Sequence, residues 1–541
     1  MKSDTLRMVV GFALIVAILV GWQVLFKPKA RQQSIPRPVP SQNQPPETTA
    51  ARQEAPEPQP TLAPVLPRAE LIPESTVTLE NRLMRLAFSN VGGTLKSIRL
   101  KGFRAELVPE GKSLFSTTLL VPQGEMNLAA TPMRVTASDT SVTFSFKAES
   151  LSFAKTYVLN GDYTLENELV VRGPCRGFTL DAMAGIARTE PNSREALAHF
   201  HFYARADKKL HQVFSQKLKR PLAIDSPCEW AGVKSKYFLL AVIGQDHKLD
   251  STYAAALDDG RVGFTAVVRQ PAPDTRFLLY LGPIEYGRLR SFGVGIENVA
   301  GLGITKPVAL AMLWILRLLY RIFANWGVAI IVFSVLMKAA FYPLTRTQTR
   351  QMRQMQLIQP KLNELKAKYK DDAQRLNQET MQLYRLYKIN PMSGCLPLVV
   401  QLPIFWALYA VLRNSIELRE AALGLWLKDL SQPDVLFGHM PAGVPMLGGS
   451  AIGLLPILMG VSFIGQNLLT STDKRNWALT VIFPVFITAI FLNMPSGLQL
   501  YWFMYNILSI GESIIGLKGG GLWRRTRSRK EPSLPAARPP K

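Results

Sequence analysis

The sequence predicts a polytopic α-helical membrane protein of six spans carrying an all-β sandwich domain on the outer side of the membrane. Three observations carry this: several apolar runs close to 20 residues long, an alternating apolar and polar pattern from about 76 to 300, and a lopsided spread of basic residues among the loops. Of the 541 residues, 48% are hydrophobic and only 19% charged, which excludes a disordered polyelectrolyte. Lys and Arg total 63 against 39 Asp and Glu, a formal charge of +24. That excess sits beside apolar spans rather than on a soluble face, so it reads as topology first.

The first run, residues 8–26, has no charge and is long enough at 1.5 Å per residue to cross a core of roughly 30 Å. It ends in bulky Val24, Leu25 and Phe26 with no small-residue cleavage site, and no Cys precedes Cys175, so residues 1–26 read as a retained anchor. Residues 27–75 hold 12 of the 38 prolines among Gln, Ser, Thr, Glu and Ala, the composition of a disordered linker. Residues 76–300 follow as the β-sandwich, with alternation clearest at 76–80, 83–88 and 141–146. Whether Cys175 and Cys228 pair is left open by the spacing.

Residues 305–323 are apolar but carry Arg317 and Arg321 at i and i+4, which suits an amphipathic helix in the outer interface better than a seventh span. Further spans are expected at 324–345, 394–414, 450–470, 477–494 and 498–517, the last two separated by Pro495, Ser496 and Gly497. Residues 346–390 hold ten Lys or Arg and 415–450 only two, which places the former loop in the cytoplasm and the latter outside. Both termini then lie in the cytoplasm and the large domain outside. The flanks of the first span point the other way (Lys27, Lys29, Arg31 and Arg37 outside against Lys2 and Arg7 inside), and the larger downstream bias decides. The loop 346–390 reads as a helical hairpin, with Met352, Met355, Ile358, Leu362 and Leu365 facing Leu376, Leu383 and Leu386 as its core. Its basic outer face and the basic tail 518–541 suit anionic lipid or ribosomal RNA.

Lys338 lies eight residues before Arg346, on the order of 12 Å along the helix from its basic end, and so within the bilayer. Snorkelling toward the headgroups is one account of it. The other is a wet interior, suggested by Ser334 one turn away and by Gln401, Gln466, Asn467, Gln499, Asn506 and Glu512 on other spans, since a bare intramembrane charge costs several kcal/mol. Glu512, the only acid within a span, lies near a helix end and suits simple solvation as well. With five His, no Gly-x-Ser-x-Gly elbow, no His-Glu-x-x-His and no phosphate loop, the chain offers no catalytic or metal constellation: an enzyme, a cofactor and a small-molecule substrate are not expected.

The stretch 390–397 (Asn-Pro-Met-Ser-Gly-Cys-Leu-Pro), continued by Gln401, Leu402, Pro403, Ile404, Phe405, Leu408 and Tyr409, resembles the third-span signature of the YidC/Oxa/Alb membrane protein insertases. Tyr342-Pro343-Leu344-Thr345, Gln359-Pro360-Lys361, 456–460, 495–498, Gly92-Gly93 and Trp230-Ala231-Gly232-Val233 fit as well. The first span and large outer domain match the Gram-negative form. The resemblance implies a five-helix insertase core around a hydrophilic groove open to the cytoplasm, a supersandwich periplasmic domain, residence in the bacterial inner membrane, and a groove charge that maps onto Lys338. The family most often has Arg at that position; Lys keeps the charge and loses bidentate pairing. Ser334, Gln401, Gln466, Gln499 and Asn506 are then the polar lining, and Leu402, Phe405, Phe483, Phe486, Tyr501 and Trp502 the surface along which a client's apolar helix slides. Implied partners are nascent integral membrane proteins, the SecYEG translocon with SecDF, the ribosome and anionic lipids. A secondary transporter is the alternative, favoured only by helix-breaking prolines, with no internal repeat and no ion-ligand cluster to support it. A membrane-anchored sugar-binding or cell-wall enzyme would need a catalytic pair in the outer domain, and none stands out.

Overall fold

The computed structural model describes residues 73–523 apart from 149, 191–195, 270, 272–273, 371, 388–395, 442, 445–446 and 471–477. The expected first span, nearly all of the linker, the basic tail from 524, Lys474, Arg475 and residues 390–395 of the third-span signature lie outside the described residues. The chain divides into two compact units, 1–235 with 240–281, and 236–239 with 282–541.

The first unit is a β-sandwich. A nine-stranded sheet runs from Lys209–Phe214 at one edge through His201–Ala206, Cys228–Lys234, Phe238–Gly244, Asp274–Pro283, Thr164–Arg172, Ser152–Leu159 and Ser141–Lys147 to Arg134–Ala137. A six-stranded sheet runs from Leu222–Ile224 to Gly124–Asn127, and a four-stranded sheet begins at Thr76–Glu80. Strict alternation in strands such as Ser152–Leu159 sends every second side chain inward. The two larger sheets meet through Phe178 on Phe277, ring centroids 6.0 Å apart, and Phe202 on Phe264 at 6.1 Å. Phe88, Phe144 and Tyr157 form a second buried aromatic group, with the Tyr157 hydroxyl donating to the Gly93 carbonyl at 3.1 Å. Gly93 has φ +56°, and a Cβ there would stand 3.0 Å from the Phe144 ring, which is why glycine occupies this turn.

Two polar features of this unit bear on stability. Lys155 points into the sandwich, fully buried, donating to the Phe115 carbonyl and to Thr117 Oγ1 (3.0 Å). Cys175 and Cys228 are free thiols, donating to the carbonyls of Gly177 and Ser226 at 3.0 and 3.2 Å.

The second unit is helical: α1 (Lys306–Phe323), α2 (Trp326–Ala340), α3 (Tyr342–Lys368), α4 (Ala373–Leu386), α5 (Leu396–Asn414), α6 (Leu454–Thr470), α7 (Phe483–Phe491) and α8 (Ser496–Trp523). Helix α8 packs against α6 and α2, and α1 packs against α2 and α5. Their shared core includes Leu316, Ile330, Phe333, Leu408, Val411, Met459 and Leu498. The Asn325 carboxamide oxygen caps α2 by accepting from the Val328 N–H at 3.0 Å. Gly460 lets α6 approach α7, since a Cβ there would meet Thr488 Oγ1 at 2.6 Å.

Helix α2 is shorter than the span expected at 324–345. Its helical path ends at Phe341, and α3 restarts with Pro343 in its first turn, because proline supplies no N–H to bond back into the preceding turn. Helix α3 runs from there into the hairpin, where Ile358, Leu362 and Leu383 are buried together with Met355 and Leu365 against them; Leu386 is exposed instead. Asp372 caps α4 by accepting from the Arg375 N–H at 2.9 Å. Among the described residues one helical stretch, Gly303–Phe323, is by itself long and apolar enough to cross a membrane. Trp326–Ala340, Leu454–Leu469 and Thr480–Phe491 are apolar but shorter. Exposed aliphatic side chains recur along these helices, among them Leu336, Val461, Leu468, Val485, Ile507 and Ile515, a surface unsuited to water.

Candidate functional site

Lys338 stands in the last turn of α2, where its four-carbon stem carries the ammonium across to α8. Residues 505, 509 and 512 of α8 follow one another at helical spacing and share the face that receives it. The ammonium donates to Ser509 Oγ at 2.8 Å, lies 2.9 Å from Glu512 Oε2 and sits 4.8 Å from the centre of the Tyr505 ring. The charge is thus tied to one neighbouring helix by a carboxylate, a hydroxyl and an aromatic face, which compensates for its withdrawal from water. The two charged side chains keep 12% and 20% of their exposure, so the pair is shielded yet reachable.

The other polar residues picked from the sequence divide. Gln401 on α5 donates to the Tyr501 hydroxyl at 3.3 Å, a polar link between α5 and α8. Ser334 is fully buried and returns its hydroxyl to the Ile330 carbonyl of its own helix at 2.7 Å. Gln499 is buried, donating to the carbonyls of Phe491 and Met494 at 2.8 and 3.0 Å, and so closes the end of α7. Asn506 is buried and donates to Ser462 Oγ at 3.1 Å, joining α8 to α6. These three side chains bond to partners inside the bundle other than the ammonium. Gln466 is half-buried on α6.

The aromatic residues also divide. Phe405 on α5 and Trp502 on α8 meet at 5.6 Å edge to face, and Phe491 of α7 completes the group at 5.9 and 5.2 Å from them. Trp406 joins Phe405 at 5.5 Å. Leu402, Phe483 and Phe486 are half-buried, with Phe483 against Phe463 of α6. Tyr501 is 1% exposed and packs on Phe333 at 6.2 Å, an interior residue rather than a surface one. Sequence reasoning missed Phe491, whose burial depends on the turn into α8, and Tyr505 and Ser509, which become neighbours of Lys338 only through the packing of α2 on α8.

On α1, Arg317 pairs with Glu417: its Nε donates to Oε1 at 3.0 Å, and a terminal nitrogen of the same guanidinium also bonds that oxygen. The buried stripe of this helix is Ala309, Met312, Leu313, Leu316 and Leu319, while Trp314, Ile322 and Arg321 face out.

Comparison with known proteins extends this picture. Residues 318–519 match the family described as 60Kd inner membrane protein, and residues 76–315 match the YidC periplasmic domain. A "Membrane protein insertase YidC" of Pelobacter propionicus is 33% identical over 480 residues, covering 82% of this chain and 86% of that protein. The corresponding insertase of Geobacter metallireducens is 29% identical over 544 residues, covering 93% and 96%. A crystal structure described as active YidC insertase with its first transmembrane domain resolved is 21% identical, covers 82% of this chain and 93% of that one, and has a TM-score of 0.38. By the identity and coverage of its relatives, the chain belongs to the YidC family of membrane protein insertases, inner-membrane proteins with a periplasmic β-sandwich domain whose clients are membrane proteins and which are not enzymes.

Proposed function

We propose that insertion by this chain runs through a hydrophilic recess beside Lys338, with the client's apolar helix passing along an aromatic surface on α5, α7 and α8. The observation that carries the reading is the Lys338 ammonium held on one face of α8 with part of its surface open. A hydrophilic tail that must cross cannot face hydrocarbon, and a recess that reaches partway shortens the apolar path. Lys338 attracts acidic groups of that tail across a medium that screens them less than water does. Burial of the client's apolar helix in lipid supplies the drive, so the step needs no nucleotide. Phe405 and Trp502 offer the guiding surface, backed by the buried Phe491, with Leu402, Phe483 and Phe486 extending it; Gln401 supplies polar lining from α5. Gln499 and Asn506 then serve by holding the helices that carry the recess, while Ser334 bonds within its own helix.

In this reading the chain has six spans: residues 8–26, and then α2, α5, α6, the segment ending in α7, and α8, with both termini in the cytoplasm. Helix α1 lies in the outer interface, since crossing would take Arg317 and Arg321 through hydrocarbon and would invert the basic hairpin to the outside. The hairpin and basic tail receive the ribosome and anionic lipid, and SecYEG with SecDF are the membrane partners for clients that use the translocon.

The test is insertion of a single-span client with an acidic translocated tail by the reconstituted full-length protein. Lys338→Arg should retain at least half of the activity, while Lys338→Gln and Lys338→Glu should lower it about ten-fold, the effect of losing one partly shielded charge contact. Equal insertion by all variants, at equal amounts of folded protein, contradicts the reading.

A further inference from the structure

The sequence leaves Glu512 as an acid near a helix end, and the structure puts it 2.9 Å from the Lys338 ammonium. It is the single acidic side chain on α2, α5, α6, α7 and α8, so the partner of the intramembrane cation is a matter of one residue. We propose that Glu512 is a specificity-determining counter-ion: it occupies Lys338 until an acidic group of the client displaces it, and thereby sets which tail charges the recess accepts. This rests on the reading of Lys338 as the charge that meets the client.

The chemistry suits an exchange. An ammonium has three N–H donors arranged around a point charge, so it can take a second carboxylate before releasing the first. Ser509 holds one donor at 2.8 Å throughout, and the Tyr505 ring at 4.8 Å supports the positive charge from another side. Replacing one carboxylate with another keeps the ammonium paired at every stage, so the barrier does not include a bare buried charge. The displaced Glu512 side chain keeps 20% of its exposure and retreats toward water. While the pair is closed the recess is neutral at its centre, which weakens its pull on acidic tails and tolerates neutral ones. Substitution of Glu512 unmasks the cation.

The experiment uses the full-length protein in zwitterionic liposomes, which keeps anionic lipid from competing. Two single-span clients differ only by Asp or Asn at one position of the translocated tail, and the readout is the Asp to Asn ratio of inserted client, which cancels any loss of folded insertase. Glu512→Gln should raise that ratio about five-fold. Glu512→Asp, which keeps the negative charge, should stay near the wild-type ratio. Lys338→Gln should bring the ratio to about one. If Lys338→Gln leaves the ratio unchanged, the reading of Lys338 fails and the counter-ion goes with it. If Lys338→Gln collapses the ratio while Glu512→Gln does not raise it, or Glu512→Asp raises it as much as Glu512→Gln, the counter-ion role alone is overturned.

Discussion

Asp434→Ala is expected to destabilise the helical unit by about 4 kcal/mol, because one buried carboxylate serves three donors. Its Oδ2 accepts from Trp426 Nε1 at 3.0 Å and from the Leu455 N–H at 2.8 Å, while Oδ1 accepts from the Leu436 N–H at 3.1 Å. Asp434 is 5% exposed, so no water replaces it readily. The Leu455 contact caps the first turn of α6, whose free N–H groups and positive dipole end favour a carboxylate. The loop 415–450 is thereby fastened to the helix that carries Gln466 and packs against α8. Asp434→Asn retains one acceptor oxygen and should cost about half as much. Thermal unfolding of the full-length protein in detergent, followed by tryptophan fluorescence, measures both. A shift for Asp434→Ala no larger than for an exposed control such as Glu420→Ala would show that the three bonds are not being made.

The β-sandwich should become more stable as pH rises from about 7 toward 10, and Lys155→Met should remove most of that slope. Burial pushes the Lys155 ammonium down to about 7, while the unfolded chain holds its proton to the ordinary lysine range near 10.5. Below the folded value both states are charged and the folded state bears the full cost of a buried cation. Between the two values the unfolded state binds more protons, so stability increases with pH, by on the order of 4 kcal/mol in all. Lys234, pushed down to about 8 by burial, adds slope in the same direction and remains in the variant. The buried Tyr157 hydroxyl, pushed up by burial, reverses the trend above pH 10, so the measurement belongs below it. Calorimetry of wild type and Lys155→Met at pH 7 and 9.5 decides the matter. Parallel pH dependences would mean that Lys155 is hydrated in solution.

The sandwich was legible because its inward and outward residues alternate without interruption through whole strands, as in Ser152–Leu159. Lys155 falls in the inward phase with Phe153, Tyr157 and Leu159, and that phase was the available sign of its burial. The apolar helices were legible by run length, but their ends were not, since Phe341 and Pro343 divide what reads as one span and its loop. Lys338 and Glu512 stood out as charges among apolar neighbours, whereas their pairing and the part of Tyr505 and Ser509 did not, because these residues become neighbours only through the packing of α2 on α8. Ser334 shows the opposite limit. One turn from Lys338 in sequence, it faces the core and satisfies its hydroxyl on Ile330, an outcome open to any serine in an apolar helix. The aromatic surface was half legible: Phe405 and Trp502 meet, but Tyr501, adjacent in sequence, turns inward on Phe333.

Entry of the client's polar tail beside Lys338, with its apolar helix passing Phe405, can be read out by photocrosslinking to a client stalled during synthesis on a ribosome. A photoreactive residue replaces Phe405 in one protein and the half-buried Tyr505 in another, and the crosslinked client is mapped by segment. Position 405 is expected to capture the apolar helix and position 505 the polar tail. Absence of both crosslinks in folded, membrane-embedded protein, or capture of the tail at 405 and the helix at 505, would contradict it.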